Sequence, residues 1–356
     1  MSIAQWHQFL QNSATQQPNG SDSQPVIQDG TIISFSDAAT ELQSLVQDTI
    51  ICDLSHLGLL QVQGLDALTF LQGQVTNDVK QLNGRNAHYS GYCNPKGRLL
   101  ALFLTFAHHD HVHLQLPKEL IESISKRLKM FVMRSKVEIK DVSDQIIRIG
   151  LNGSKATALL SSIFSQIPQN NDAAQSGYEL VSLKNAAILK LPGMQPRYEI
   201  FTDISNAPAI WNALLQEAKP VGAACWEWLE IQAGIPDVTL KTQEAFVPQM
   251  LNLDLLGGIN FKKGCYTGQE IVARTHYLGT VKRRTHLAHI NVSLRPTAGD
   301  DVHNSQHEIV GKIVRSAPAP VGGYDVLVEL RLESIEAGQL LVNNNILEIQ
   351  PLPYKL

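Results

Sequence analysis

Beyond Ile50 the sequence keeps changing hydrophobic period, from two-residue alternation to helical spacing and back, and never settles into a repeated strand–helix–strand unit. GLLQVQG (Gly58–Gly64) alternates like a strand, and ALTFLQ (Ala67–Gln72) reads as a short helix. His88–Cys93, Arg98–Ala107 and His111–Leu116 read as three strands. Lys118–Met133 places Leu120, Ile124, Leu128 and Phe131 at helical spacing, and Ser135–Val142 returns to strand. This mixture predicts an α+β fold. A second unit of the same kind follows: strand Ile146–Leu151, helix Ser154–Gln166, strands Tyr178–Leu183, Ala187–Leu191 and Arg197–Thr202, and a helix around Ala207–Ala218. Its order is close to a ferredoxin-like β-α-β-β-α-β arrangement. From Lys282 the chain is strand-rich with Gly and Pro turns, which predicts a small β-barrel or sandwich.

The expected divisions are a first α+β domain over 1–144, a ferredoxin-like domain over 145–240, a motif-bearing segment over 241–281 and a C-terminal barrel over 282–356. Residues 12–30 are polar and read as a linker, and PQNNDAAQSG (Pro168–Gly177) reads as a polar loop. With 356 residues and 44% hydrophobic composition the chain can bury two or three cores. A net charge of −4 argues against a dedicated nucleic-acid binder, so direct tRNA binding is not expected. The four cysteines include no C-x-x-C pair, which excludes a zinc-ribbon pattern and fits a reducing cytosol. The N-terminus lacks a basic region followed by an apolar stretch, and no run reaches the length of a membrane span, so a cytoplasmic protein is expected.

The stretch richest in chemistry is KKGCYTGQEIVAR (Lys262–Arg274). Thr267 and Glu270 have the spacing of a capping box, which predicts Thr267 as N-cap and a helix from Gly268 to about His276. Cys265 then lies just before the positive end of a helix dipole. Lys262, Lys263, Arg274, Lys282, Arg283 and Arg284 stand against Glu270 alone. Both features favour a thiolate. A buried structural cysteine is the ordinary alternative, but lysines and glycines surround this one rather than apolar residues, which favours a functional thiol.

Other patterns carry less. The run His108-His109-Asp110-His111-Val112-His113 looks like a metal cluster, yet a hairpin tip between two apolar strands explains it, and that is the expectation. GLNGSK (Gly150–Lys155) departs from the phosphate-loop pattern, and Ser154 serves as a helix N-cap. In ACWEWLEIQAGIP (Ala224–Pro236) the apolar positions cannot all face one core, so a tryptophan can border a cavity; a core position is an equally good reading.

FKKGCYTGQEIVAR, preceded by FVPQMLNLDLLGGIN, resembles the signature of the bacterial YgfZ family, folate-binding relatives of the glycine-cleavage T-protein (aminomethyltransferase). The resemblance extends to GLDALTFLQGQVTNDV (Gly64–Val79), CNPKGR (Cys93–Arg98), the AGIP turn (Ala233–Pro236) and PLPY (Pro351–Tyr354). It implies an aminomethyltransferase-like fold, with two α+β units and a small barrel around a central folate channel that residues 241–281 would line. It also implies tetrahydrofolate or another folate as cofactor. The implied role is support of iron–sulfur cluster assembly or repair, and through it tRNA thiomodification, by transient contact with iron–sulfur proteins.

The family's folate-contacting tryptophan falls on Trp226, and a second aromatic position of the family is Leu57 here. Cys265 is the implied reactive thiol, Tyr266 and Gln269 positioning residues, and Lys263 and Arg274 belong to the basic set able to receive the anionic glutamate tail. Where the related aminomethyltransferases carry a pair of aspartates after the CNPKGR turn, this chain has Ala101 and Leu102, which argues against T-protein chemistry. A folate-dependent one-carbon transferase with Cys265 as nucleophile is the alternative.

Overall fold

The computed structural model describes residues 1–14, 25–169, 178–336 and 338–356. The chain opens with helix α1 (Ile3–Ala14), the hairpin β1 (Val26–Gln28) and β2 (Thr31–Ser34), and helix α2 (Ala38–Gln47). The first α+β stretch holds β3 (Ile50–Asp53), β4 (Leu57–Gln63), α3 (Ala67–Gln72), β5 (Asn86–Cys93), β6 (Leu99–His108), β7 (His111–Pro117), α4 (Ile121–Met130) and β8 (Glu138–Asp141). The second holds β9 (Ile146–Asn152), α5 (Ala156–Ile163), β10 (Tyr178–Ser182), β11 (Ala186–Leu191), β12 (Arg197–Asp203), α6 (Ala207–Leu215), β13 (Lys219–Val221) and α7 (Ala223–Gln232). After a largely irregular segment carrying α8 (Gln269–Tyr277) come β14 (Arg283–Ile290), β15 (Asp301–His303), β16 (Ile309–Pro318), β17 (Tyr324–Arg331), α9 (Leu332–Glu336), β18 (Leu341–Val342) and β19 (Asn345–Gln350).

Strands of both α+β stretches join one 11-stranded sheet in the order β13-β3-β9-β12-β11-β10-β5-β6-β7-β4-β8. The ferredoxin-like order is recognisable in β13, β9, β12 and β11, but β3 is wedged between β13 and β9. It pairs parallel to β13 and antiparallel to β9. IICD is buried along its whole length, as suits an interior strand. Trp6 of α1 donates from Nε1 to Asp53 Oδ1 and packs edge-on against Trp211 of α6. The boundary expected at 144/145 therefore does not separate the two halves of the sheet, because β3 and the N-terminal helix belong with the second half.

The polar 12–30 stretch is not a linker at its described ends. Asn12–Ala14 completes α1, and Val26–Gln28 is a strand. Residues 15–24 of it, and residues 170–177 of the expected polar loop, lie outside the described residues.

Two-residue alternation sorts the sheet's side chains. Ile51, Ile149, Leu151, Tyr198 and Ile200 face α1, α5 and α6, whereas Ile50, Cys52 and Phe201 face a central core shared with α7. In the other half Leu60, Val62, Ala101 and Phe103 pack with α3 and α4, while Leu59, Leu102 and Leu104 turn to the same central core. The tail closes as a six-stranded barrel, β14-β17-β16-β15-β18-β19, rather than a sandwich. Among the described residues no helix is long and apolar enough to cross a membrane.

Helix α7 is buried on almost every side, between the sheet and barrel strands β16 and β17. Its polar residues are matched to both layers. Glu230 meets Arg197 of β12, with Nη1 3.1 Å from Oε1. Arg315 of β16 grips Glu227 through two contacts of 2.7 and 2.6 Å, and donates to the Ile235 carbonyl. Trp228 Nε1 donates to Asp325 of β17 at 2.7 Å. Burial alone would raise the Glu227 carboxyl, but the Arg315 guanidinium outweighs it and holds that carboxyl below its usual range. Removing one partner strands a buried charge. Arg315→Met should lower stability by about 3–5 kcal/mol, and adding Glu227→Gln should recover part of that loss. Denaturant unfolding of both single variants and of the double variant measures this, and a double loss equal to the sum of the two single losses would show the pair to be uncoupled.

Candidate functional site

A narrow cleft lies between the sheet, α7 and the barrel, lined among others by Leu57, Tyr89, Leu102, Gln115, Glu199, Trp226, Asp237 and Arg315. Its free volume is ≈ 30 Å³, so a bicyclic ring enters only as lining side chains move aside. Two of the residues singled out in the sequence, Leu57 and Trp226, meet here. The Leu57 carbonyl accepts from Arg148 Nη2. Trp226 sits on the sheet where Gly150 leaves room, since a Cβ at position 150 would stand 2.5 Å from the indole ring. That is the structural use of the glycine in GLNGSK, and Ser154 does not cap the helix behind it, because the N-cap is Lys155. The Trp226 indole is 1% exposed, with the Arg197 guanidinium 5.4 Å from the ring centroid. It presents little open face for stacking. Its buried Nε1 has no hydrogen-bond partner.

The acids of the cleft escaped the sequence reading. Glu199 stands directly opposite Gly150 across the β12–β9 pairing and accepts from Gln115 Nε2 at 2.9 Å. Burial, reinforced by the nearby Glu230 charge, lifts its carboxyl to about 7. Burial lifts Asp237 to about 7 as well. Gln115 Oε1 has no partner. The cleft therefore combines an unpaired donor, an unpaired acceptor and two carboxyls that change protonation near neutral pH. RYEIF already held the signal for Glu199, a charge at an inward position of an apolar strand.

The remaining predicted residues, Lys263, Cys265, Tyr266, Gln269 and Arg274, do not line the cleft. The expected capping box is absent. The N-cap of α8 is Gly268 at φ 82°, with no side-chain cap. The left-handed turn is imposed by packing, since a Cβ on Gly268 would lie 2.5 Å from the Asn94 carbonyl oxygen and 2.9 Å from the Gly97 Cα. The CNPKGR turn is thus seated directly on the start of α8.

The expected basic patch is also largely spent. Lys263 is 8% exposed, and its ammonium donates to the carbonyls of Gln72, Val75 and Asn77 at 2.8, 2.5 and 2.9 Å. Burial lowers its pKa to about 8. All three donors are used, so Lys263 is a tether rather than an anion receptor. Arg284 pairs with Asp254 through both nitrogens, and Arg283 pairs with Glu329. Lys262, Arg274 and Lys282 remain exposed.

Further contacts gather the sequence motifs around this segment. Asn77 donates to the Gly257 carbonyl and Thr76 to that of Gly258. The Tyr354 hydroxyl donates to the Gly234 carbonyl and accepts from Asn252. Tyr266 is buried beneath Lys263, whose Nζ is 5.0 Å from the ring centroid. Cys265, between them, is exposed.

A mixed sheet of this order, closed by a small barrel over a central cleft, defines the aminomethyltransferase-like class of fold. The crystal structure of the glycine cleavage system aminomethyltransferase T from Bartonella henselae shares it, with a TM-score of 0.73 over 91% of each chain at 16% identity. The GCVT N-terminal domain family matches residues 31–261. The tRNA-modifying protein YgfZ of Colwellia psychrerythraea is 37% identical over 271 residues, covering 75% of this chain and 80% of that protein. Its counterpart from Enterobacter sp. is 32% identical over 308 residues, covering 85% and 92%. The chain belongs to the GCVT family and stands among its YgfZ members.

Cys52, Cys93 and Cys225 are buried, and burial pushes all three thiols up, Cys93 to about 12. Alkylation of the native protein at neutral pH should therefore label Cys265 alone on a short timescale, with the other three reacting only after denaturation. Peptide mapping of a time course reads this directly, and faster labelling at any of the other three would remove the distinction.

Proposed function

We propose that this chain is a folate-binding protein that supports iron–sulfur-dependent tRNA modification, holding tetrahydrofolate in the central cleft and presenting Cys265 to a protein partner. The observation that carries the reading is the donor set of the cleft. Trp226 Nε1 and Gln115 Oε1 are buried without partners, beside the carboxyls of Glu199 and Asp237. The 2-amino-4-oxo edge of a pterin offers two adjacent N–H donors to a carboxylate, and its carbonyl accepts from an indole N–H. Bound tetrahydrofolate would supply a ring able to carry a one-carbon unit. Leu102 lines the cleft and Ala101 packs in the α3–α4 core, where the related aminomethyltransferases carry aspartates. That favours binding over T-protein chemistry. The names of the relatives support tRNA modification as the process served.

Cys265 is the exposed thiol and is not a lining residue of the cleft. A single thiolate cannot hold a cluster that takes four, so any iron–sulfur cargo is shared with the partner. Of the cations counted around Cys265, Lys262, Arg274 and Lys282 are exposed and able to meet an anionic tail or an acidic partner.

Tetrahydrofolate titration followed by tryptophan fluorescence should show quenching. Trp226→Phe, which keeps the bulk and removes the N–H, should weaken binding by about 1 kcal/mol, roughly five-fold. The pH dependence has a definite sign. Glu199 and Asp237 sit at about 7 when folded, above their ordinary range. A ligand that donates to the carboxylate therefore binds more tightly as pH rises from 6 through 7 to 8. The same shifts make the ligand-free fold lose stability over that window, because the folded state holds more protons than the unfolded one. Affinity that falls with rising pH, or that is unchanged in Trp226→Phe, would place folate outside the cleft.

Cys265→Ala should leave folate affinity intact and abolish complementation of a deletion strain, scored as methylthiolated tRNA and iron–sulfur enzyme activity. Full complementation would make the thiol dispensable.

A further inference from the structure

Away from the cleft, four imidazoles crowd the junction of two hairpin tips. The β6–β7 tip turns through His109 and Asp110, both with left-handed backbone, and places His108 opposite His111 in register. Together with His113, these rings line a cavity of ≈ 270 Å³ whose far wall includes Lys184 at the β10–β11 tip. Ring centroids are 3.8 Å apart for His108 and His109, 6.3 Å for His108 and His113, and 6.5 Å for His111 and His113.

The hydrogen bonds leave lone pairs directed elsewhere. His109 Nε2 lies 3.2 Å from the Lys184 carbonyl oxygen. A carbonyl can only accept, so Nε2 carries the proton and Nδ1 is a free lone pair. His108 Nδ1 is held by the Ser182 hydroxyl at 2.5 Å, which leaves Nε2 free. The Nδ1 atoms of His111 and His113 are buried with no partner, and His113 is only 2% exposed. A buried, unpaired polar atom costs on the order of 1–3 kcal/mol, and two side by side call for a ligand. Neutral imidazoles suit borderline transition cations, and hydrogen bonds from the second ring nitrogen to protein oxygens are the usual outer support of such sites.

We propose that this hairpin junction binds one divalent transition cation of the zinc and nickel class through at least three of His108, His109, His111 and His113. As the side chains stand, no three ligating groups among the described residues converge on one point. Metal–nitrogen bonds of about 2.0–2.1 Å bring tetrahedral imidazole centroids to roughly 5 Å apart. His113 is fixed by stacking on Phe106, so closing that gap falls to rotation of His108, His109 and His111. The bound cation would lock the β6–β7 tip against the β10–β11 tip through His108–Ser182 and His109–Lys184.

The test uses the full chain without a histidine tag, stripped with chelator. Zn²⁺ is titrated by calorimetry, and Co²⁺ by its visible ligand-field absorption. One equivalent should bind with micromolar affinity, give the absorption of a nitrogen-ligated tetrahedral Co²⁺ and raise the melting temperature. His108→Gln with His111→Gln should weaken binding on the order of ten-fold or more, whereas His303→Gln with His307→Gln should leave it unchanged. Should thermal scans show the first pair misfolded, His109→Gln with His111→Gln replaces it. Absence of binding, full retention in the tip variants, or loss in the His303/His307 pair overturns the proposal.

Discussion

The position of the barrel on the sheet depends on the charges carried by α7. Glu227 and Glu230 lie one helical turn apart, yet they reach in different directions, to Arg315 of the barrel and to Arg197 of the sheet. Arg315 approaches both, with Nη1 3.6 Å from Glu230. Buried ion pairs of this kind contribute less to net stability than their Coulomb energy implies, because desolvation opposes it. Their stronger effect is on register. An apolar helix between two apolar layers can slide or rotate at small cost, whereas four charges in low dielectric have one arrangement that leaves none unpaired. The cleft inherits that definition, since Glu230 and Arg315 are part of its wall.

Much of this was legible locally and little of it non-locally. Period-two alternation located β4–β7 and β9–β12, because each strand presents one face to a helical layer and the other to the central core. The insertion of β3 between β13 and β9 was not legible, as nothing within IICD specifies a partner about a hundred residues away. The charged residue inside RYEIF was a readable sign. A carboxylate at an inward position is retained only where something nearby compensates it, and Glu199 has Gln115 and the Arg197 and Arg148 charges around it.

The motif segment shows a different failure. Counting cations around Cys265 treated every lysine and arginine as free, whereas three-dimensional pairing decides which charges still act. Lys263 serves the carbonyls of the Gln72–Asn77 turn, Arg284 serves Asp254, and Arg283 serves Glu329. The T-x-x-E spacing failed for a related reason. A capping box requires an extended N-cap backbone, and contact with the CNPKGR turn instead forces a left-handed glycine at position 268. Tertiary packing overrode a local signal that was sound in itself.

Those contacts also give the exposed thiol its character. Cys265 is flanked by Lys263, held by three carbonyls, and by Tyr266, buried against the Lys263 ammonium, with the fixed Gly268 turn following shortly after. Its backbone is pinned on both sides while its side chain faces solvent. A flexible loop would lose conformational entropy on meeting a partner, and a pinned one has already lost it during folding. The Lys263 ammonium buries its charge to hold the Gln72–Asn77 turn, and in doing so fixes the chain two residues before the exposed sulfur. Cys265 is also not among the residues that line the cleft. On the proposed reading, ligand recognition falls to the cleft and thiol chemistry to the motif segment, an arrangement better matched to a protein that binds a small molecule and a partner than to one that passes a single carbon between adjacent groups.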